Sequence, residues 1–187
     1  MQAFIEPPIR IPFLLRIGIW ISEKITRRKM LPARILAWYP RAAVGSGVLE
    51  ALVAHHDGNL DERMLKIVRI QASFAAACPF CIDMNSFQSE EAHISIEELA
   101  VLQGRKSLDE VDTFTERERL AIQYAKLISQ TPLQFPITFV EELKRHFNER
   151  ELVILASTAA QVNYWTRLIQ ALGCPPHQPG LVHPRAN

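Results

Sequence analysis

The chain has 187 residues, 48% hydrophobic and 22% charged, the makeup of an ordinary globular protein with enough length for one domain and a substantial core. A net charge of +1 lacks the concentrated basic face of a dedicated nucleic-acid binder, so no nucleic-acid partner is expected. Three cysteines are too few for a disulfide framework of the secreted kind, and a cytoplasmic protein is expected.

Along the chain the first apolar run is residues 11–21, interrupted by Arg16 and too short to span a bilayer. It lacks the leading charge and cleavage site of a signal peptide. Arg27, Arg28 and Lys29 follow it, which leaves a membrane-surface helix open. An amphipathic helix packed on the body or on another subunit is the favoured reading. Residues 40–54 carry Val44, Val48, Leu49, Leu52 and Val53 at helical spacing, which predicts one buried face. His55, His56, Asp57 and Gly58 end that helix.

Asp61 caps the next helix, which runs toward Ala77, and a further helix is predicted over residues 79–92. Ser95 and Glu98 form a capping box for a short helix that Gly104 ends. Thr115 and Glu118 form another, ahead of Leu120, Ala121, Tyr124, Leu127 and Ile128 on one side. Pro132 and Pro136 bracket a break, and a helix follows from about Thr138 to His146. Asn148 caps a long final helix that Gly173 and Pro175 end near Ala171. No stretch demands a strand, so an all-α fold of about eight helices is expected.

Chemistry concentrates at Cys78-Pro79-Phe80-Cys81. Thiols at i and i+3 can close a disulfide, and at a helix start the macrodipole and free N–H groups favour the thiolate. Pro79 suits the first turn of a helix, because its missing N–H would have had no partner there. The pair therefore belongs at a helix–helix junction. A structural zinc site needs four ligands, and neither His93 nor Cys174 stands at a recognisable spacing from the pair, so no metal or other cofactor is expected. Asp83, two positions after Cys81, reads as a surface or subunit-interface charge.

Residues 63–70 leading into residues 78–85 resemble the core of the alkylhydroperoxidase D / carboxymuconolactone decarboxylase superfamily. Residues 114–121 resemble the helix start that follows that core. Residues 152–168, with Asn163, Tyr164, Trp165 and Arg167, resemble its final helix. The resemblance covers about residues 49–173, leaving 1–39 as a helical extension and 174–187 as a tail of one domain.

It implies an all-α, alkylhydroperoxidase D-like fold, homo-oligomers that are usually trimers or hexamers, with a dimer as the alternative, and a thiol-dependent hydroperoxide reductase working with an external dithiol. Cys81 would be the peroxidatic cysteine and Cys78 the resolving one. At the two positions of the family's proton relay this chain carries Asn85 in place of His and Lys66 in place of Glu. Asn cannot titrate and Lys is ordinarily protonated, but Lys66 could favour a thiolate and Asn85 could bond to sulfur. Glu62, His55 and His56 are candidates for a replacement relay. A redox sensor or scaffold without turnover is the alternative function. A lactone decarboxylase, which needs no cysteine pair, ranks below both.

Overall fold

The computed structural model describes residues 3–53 and 58–177, so His55 and His56 lie outside the described residues. Nine α-helices and two 3-10 turns account for the regular structure there, and no strand occurs among the described residues. None of these helices is long and apolar enough to cross a membrane. The described residues divide into two compact units, a larger one of residues 53, 58–167 and 176–177 and a smaller one of residues 3–52 and 168–175.

The larger unit is organised around α4 (Glu62–Ala75), which is buried along nine residues from Met64 to Ser73 with only Lys66 partly open. One side of α4 enters a core with α7 (Glu116–Ile128), α8 (Ile137–His146) and α9 (Glu149–Ala171), where Leu65, Val68 and Ala72 meet Ala121, Ala125, Leu155 and Ala159. Alanines at these contacts let the helix backbones approach closely. The other side places Ile67 and Ile70 against Val101, Leu102, Phe114 and Ile122. Val101 and Leu102 belong to α6 (Ile96–Leu102).

Capping makes this unit one connected polar frame. Asp61 accepts the Met64 N–H, and both predicted capping boxes, Ser95 with Glu98 and Thr115 with Glu118, are closed in both directions. Asn148 and Glu151 exchange the same pair of bonds at α9. Arginines from neighbouring helices then bind the capping glutamates. Arg63 donates to Glu98 at 2.6 Å and to Glu118 at 2.7 Å, and Arg117 donates to Glu151 at 2.8 Å. Each carboxylate thus satisfies an orphan helix N–H and an arginine together, so its burial is compensated.

The smaller unit is α1 (Phe13–Thr26), α2 (Leu31–Leu36), α3 (Pro40–Leu52) and the chain from the last turn of α9 to Pro175. No side chain caps α1 or α2. Glu23 receives Nε and Nη2 of Arg34 and the Met30 N–H, fixing the α1–α2 corner. Gly173 has φ +65°, and a Cβ there would stand 2.6 Å from the Phe4 ring, so both the turn and the close approach require glycine. Helix α2 was not foreseen as a separate element. The expected buried face of α3 is corrected: Val44, Val48 and Leu52 are exposed, and Ser46 is the buried residue of the helix.

Candidate functional site

Cys78 and Cys81 lie where α4 hands over to α5 (Pro79–Ser86), the predicted junction. α5 is shorter than the predicted 79–92 span: it stops at Ser86, and residues 89–92 form a separate 3-10 turn. Ala77 makes the reversal with φ +48°, a left-handed conformation that costs an L-residue about 1 kcal/mol. Its N–H reaches the Phe74 carbonyl, and the Cys78 N–H reaches the Ser73 carbonyl, closing the end of α4.

Pro79 takes the first helical position and Cys78 becomes the N-cap of α5. Cys78 Sγ accepts the Cys81 N–H at 3.3 Å, and the two sulfurs are 2.6 Å apart. Neither cysteine is in a disulfide, and both are buried. The hydrogen bond from the Cys81 side chain holds the Cys78 thiol below its ordinary value. Burial opposes that shift, and the backbone N–H groups of Cys81 and Phe80 add to it. The arrangement favours the thiolate form of Cys78.

The two relay positions are occupied differently. Asn85 donates from Nδ2 to Ser73 Oγ at 2.8 Å, and Ser73 donates onward to the Arg69 carbonyl, so Asn85 ties α5 to α4 rather than bonding to sulfur. Lys66 donates from Nζ to the Phe87 carbonyl at 2.9 Å, holding the far end of α5 instead of facing the thiols. Its burial, with the charge of Arg69 adding, holds it below the ordinary lysine range. Glu62 is exposed at the first residue of α4. A helix of that length puts Glu62 roughly 20 Å from the cysteine end, so it is not brought to the pair.

Asp83 corrects the reading of a surface charge: it is fully buried. Its Oδ2 accepts the backbone N–H of His177 at 2.9 Å and lies 3.5 Å from His177 Nδ1. The His177 ring sits 5.3 Å from that of Phe80, the residue beside Cys81. The links of Asn85 to Ser73 and of Asp83 and Phe80 to His177 are what sequence reading missed. The one available signal was a carboxylate inside the apolar run of residues 80–84.

The other singled-out residues lie in different settings. The backbone carbonyl of His93 accepts Arg63, and Cys174 is buried in the smaller unit with its N–H on the Ile169 carbonyl. Among the described residues the groups that converge closely enough to hold one cation are Glu116, Glu142 and His146, not the cysteines.

No protein-family model matches the chain. The uncharacterized protein YnjA of Escherichia coli (strain K12) is 26% identical over 171 residues, which span 90% of this chain and 92% of that one. Among solved structures, the alkylhydroperoxidase AhpD core of a peroxidase-related protein from Ralstonia eutropha JMP134 superposes with a TM-score of 0.78 at 15% identity, covering 94% of this chain and 93% of that one. The debrominase Bmp8, solved with 2,3,4-tribromopyrrole in a variant carrying alanine for a cysteine, also reaches 0.78, at 19% identity over 92% of this chain and 91% of that one.

Proposed function

The chain has the alkylhydroperoxidase D-like helical fold, and on that scaffold we propose that it is a thiol-dependent hydroperoxide reductase of the cytoplasm. One observation carries the reading: two thiols in contact at the start of α5, with Cys78 as its N-cap. Cys81 is the attacking sulfur and Cys78 the resolver. With Asn85 and Lys66 bonded elsewhere, Cys78 is the base within reach of the Cys81 proton.

As that proton moves to Cys78, Cys81 attacks the terminal oxygen of a hydroperoxide and the O–O bond breaks. Cys78 returns the proton to the departing alkoxide, leaving an alcohol, a Cys81 sulfenic acid and a Cys78 thiolate. The thiolate attacks the Cys81 sulfur and expels hydroxide, which combines with the proton that Cys78 had released to solvent on forming its thiolate. An external dithiol then reduces the disulfide, so one hydroperoxide and one dithiol give alcohol, water and oxidised dithiol.

The test is peroxide consumption with a dithiol reductant, together with mass spectrometry after one equivalent of hydroperoxide. Cys81→Ser should abolish turnover; the wild-type rate in that variant overturns the assignment. Cys78→Ser should also slow formation of the Cys81 sulfenic acid, because it removes the base as well as the resolver. A pure resolver would leave that first step unchanged.

The likeness to a debrominase favours one second reading. There the same pair would reduce a bromo-heteroaromatic, carbon–bromine giving carbon–hydrogen plus bromide and a proton as the dithiol becomes a disulfide. Bromide release without peroxide consumption would select it.

A further inference from the structure

Helix α1 leaves six large apolar side chains in solvent: Phe13, Leu14, Ile17, Trp20, Ile21 and Ile25. At 100° per residue they fall in an arc of about 140°. Ile19, the buried residue of the helix, lies opposite that arc. The amphipathic helix expected from the sequence therefore forms, but it turns its apolar stripe outward. Single exposed apolar residues are ordinary on any surface, whereas a continuous helical stripe of six marks a contact site.

Cations accompany the stripe. Lys24 lies inside the arc, with its ammonium 5.9 Å from the Trp20 ring centroid. Arg16 borders it, with its guanidinium carbon 5.5 Å from the Phe13 centroid. Arg27, exposed, follows at the C-cap. Glu23, the one acidic residue of α1, is bound by Arg34. The imbalance extends through the smaller unit, which holds eight Lys and Arg against three Asp and Glu. That is a net +5 in a chain of net +1, so the remaining residues carry −4.

We infer that α1 is a membrane-surface helix that lays this stripe into the headgroup layer of an anionic phospholipid bilayer. Its apolar side chains enter the boundary between headgroups and acyl chains while arginine and lysine meet lipid phosphates, the division that interfacial helices use. Lys24 decides between occupants. In a protein contact its ammonium would be desolvated inside the patch, a place from which lysine is depleted. At a bilayer its four-carbon stem lies along the apolar surface and the ammonium reaches back to the headgroups. Trp20 beside it is a residue type that favours the same boundary. A second copy docked here would also set two faces of like charge against each other. Fourteen residues extend roughly 21 Å, short of the ~30 Å hydrocarbon core, so the helix lies along the surface rather than through it.

Vesicle flotation of the reduced full-length protein tests this surface independently of thiol chemistry. Wild type should float with phosphatidylcholine vesicles containing about 30% phosphatidylglycerol at least about tenfold more than with phosphatidylcholine alone. Most of that preference should be lost in about 1 M salt. Ile17→Gln/Ile21→Gln, which leaves the charge unchanged, should lower partitioning about tenfold or more. Arg16→Gln/Lys24→Gln, which leaves the isoleucines unchanged, should lower it about thirtyfold on anionic vesicles and leave it unchanged on neutral ones. Wild type that floats with neither vesicle, or equally with both, overturns the inference, as does either variant if it folds and floats like wild type. Wild type that ignores vesicles, and whose sedimenting mass falls in the isoleucine variant, also overturns it and assigns the face to a second copy.

Should the isoleucine variant misfold, hydrogen exchange of the wild type decides. Peptides covering α1 should gain protection when the anionic vesicles are added. Unchanged exchange in those peptides overturns the proposal.

Discussion

The two units of this chain use the same element, an amphipathic helix, and finish it in opposite ways. In the larger unit α4, α6, α7 and α9 are each capped by a polar side chain at their first turn, and arginines bind three of the capping-box glutamates. α4 is enclosed by apolar side chains on both of its broad faces. In the smaller unit α1 begins at Pro12 and α2 at Met30 with no side-chain cap, and the apolar stripes of α1 and α3 face outward. Stability in one region therefore rests on contacts within the chain. The other leaves large apolar side chains of α1 and α3 exposed. The thiol pair sits in the first kind of region, where its geometry is held by buried neighbours.

The largest way to test this contrast is to cut one arginine in each unit. Arg63→Met removes the partner of Glu98 and Glu118, two carboxylates at 2% and 5% exposure. Leaving such groups buried and unpaired should cost about 3–5 kcal/mol. Arg34→Met breaks the Glu23 pair, whose arginine side chain is 42% exposed, and should cost no more than about 1 kcal/mol. Urea unfolding followed by circular dichroism reads both. Equal losses would show that the frame of the larger unit adds nothing beyond a surface ion pair.

Acid sharpens the same comparison. Burial works against the Glu98 carboxylate, but hydrogen bonds from Arg63, Thr113 and the Ser95 N–H outweigh it and hold the group at about 2, against an ordinary 4.5. A depressed carboxyl stabilises the fold fully above its unfolded value and loses that contribution as pH falls from 4.5 toward 2. A shift of that size corresponds to about 3 kcal/mol. Stability measured by urea titration at stepped pH should therefore decline across that window. Glu98→Gln should flatten the decline, and a wild-type-like acid limb in that variant would remove Glu98 from its cause.

These properties were not equally legible in the sequence. Caps were, because Asp61, Ser95, Thr115 and Asn148 act on N–H groups three residues away. So was the place of the cysteine pair, since Pro79 after Cys78 is a local helix-start signal. Helix α2 was not, because it is six residues long with no capping side chain and Pro32 inside its first turn. Periodicity identified the stripe of α3 but could not say whether anything covers it. The surroundings of the pair were hidden by distance along the chain. Asn85 finds Ser73 twelve positions back, and Asp83 finds His177 ninety-four positions ahead. Neither partner follows from spacing within one helix.

The smallest expected effect concerns the two units' helix exits. Ala77 after α4 and Arg27 after α1 both hold positive φ, 48° and 53°, without being glycine. Either substitution by glycine relieves about 1 kcal/mol of left-handed strain and returns part of it as greater freedom of the unfolded chain. The net gain should be about 0.5 kcal/mol for each, read as a small rise in the urea midpoint. The functional consequence should differ between them. Ala77 sets the entry of Cys78 into its N-cap position, where the Cys78 N–H is held by the Ser73 carbonyl. Glycine there relaxes the turn that aims Cys78 at Cys81, so sulfenic acid formation should slow in Ala77→Gly and stay unchanged in Arg27→Gly. If both variants gain stability and neither changes the thiol step, the strained alanine contributes nothing to the pair, and its geometry is held by the N-cap bond from the Cys81 N–H alone.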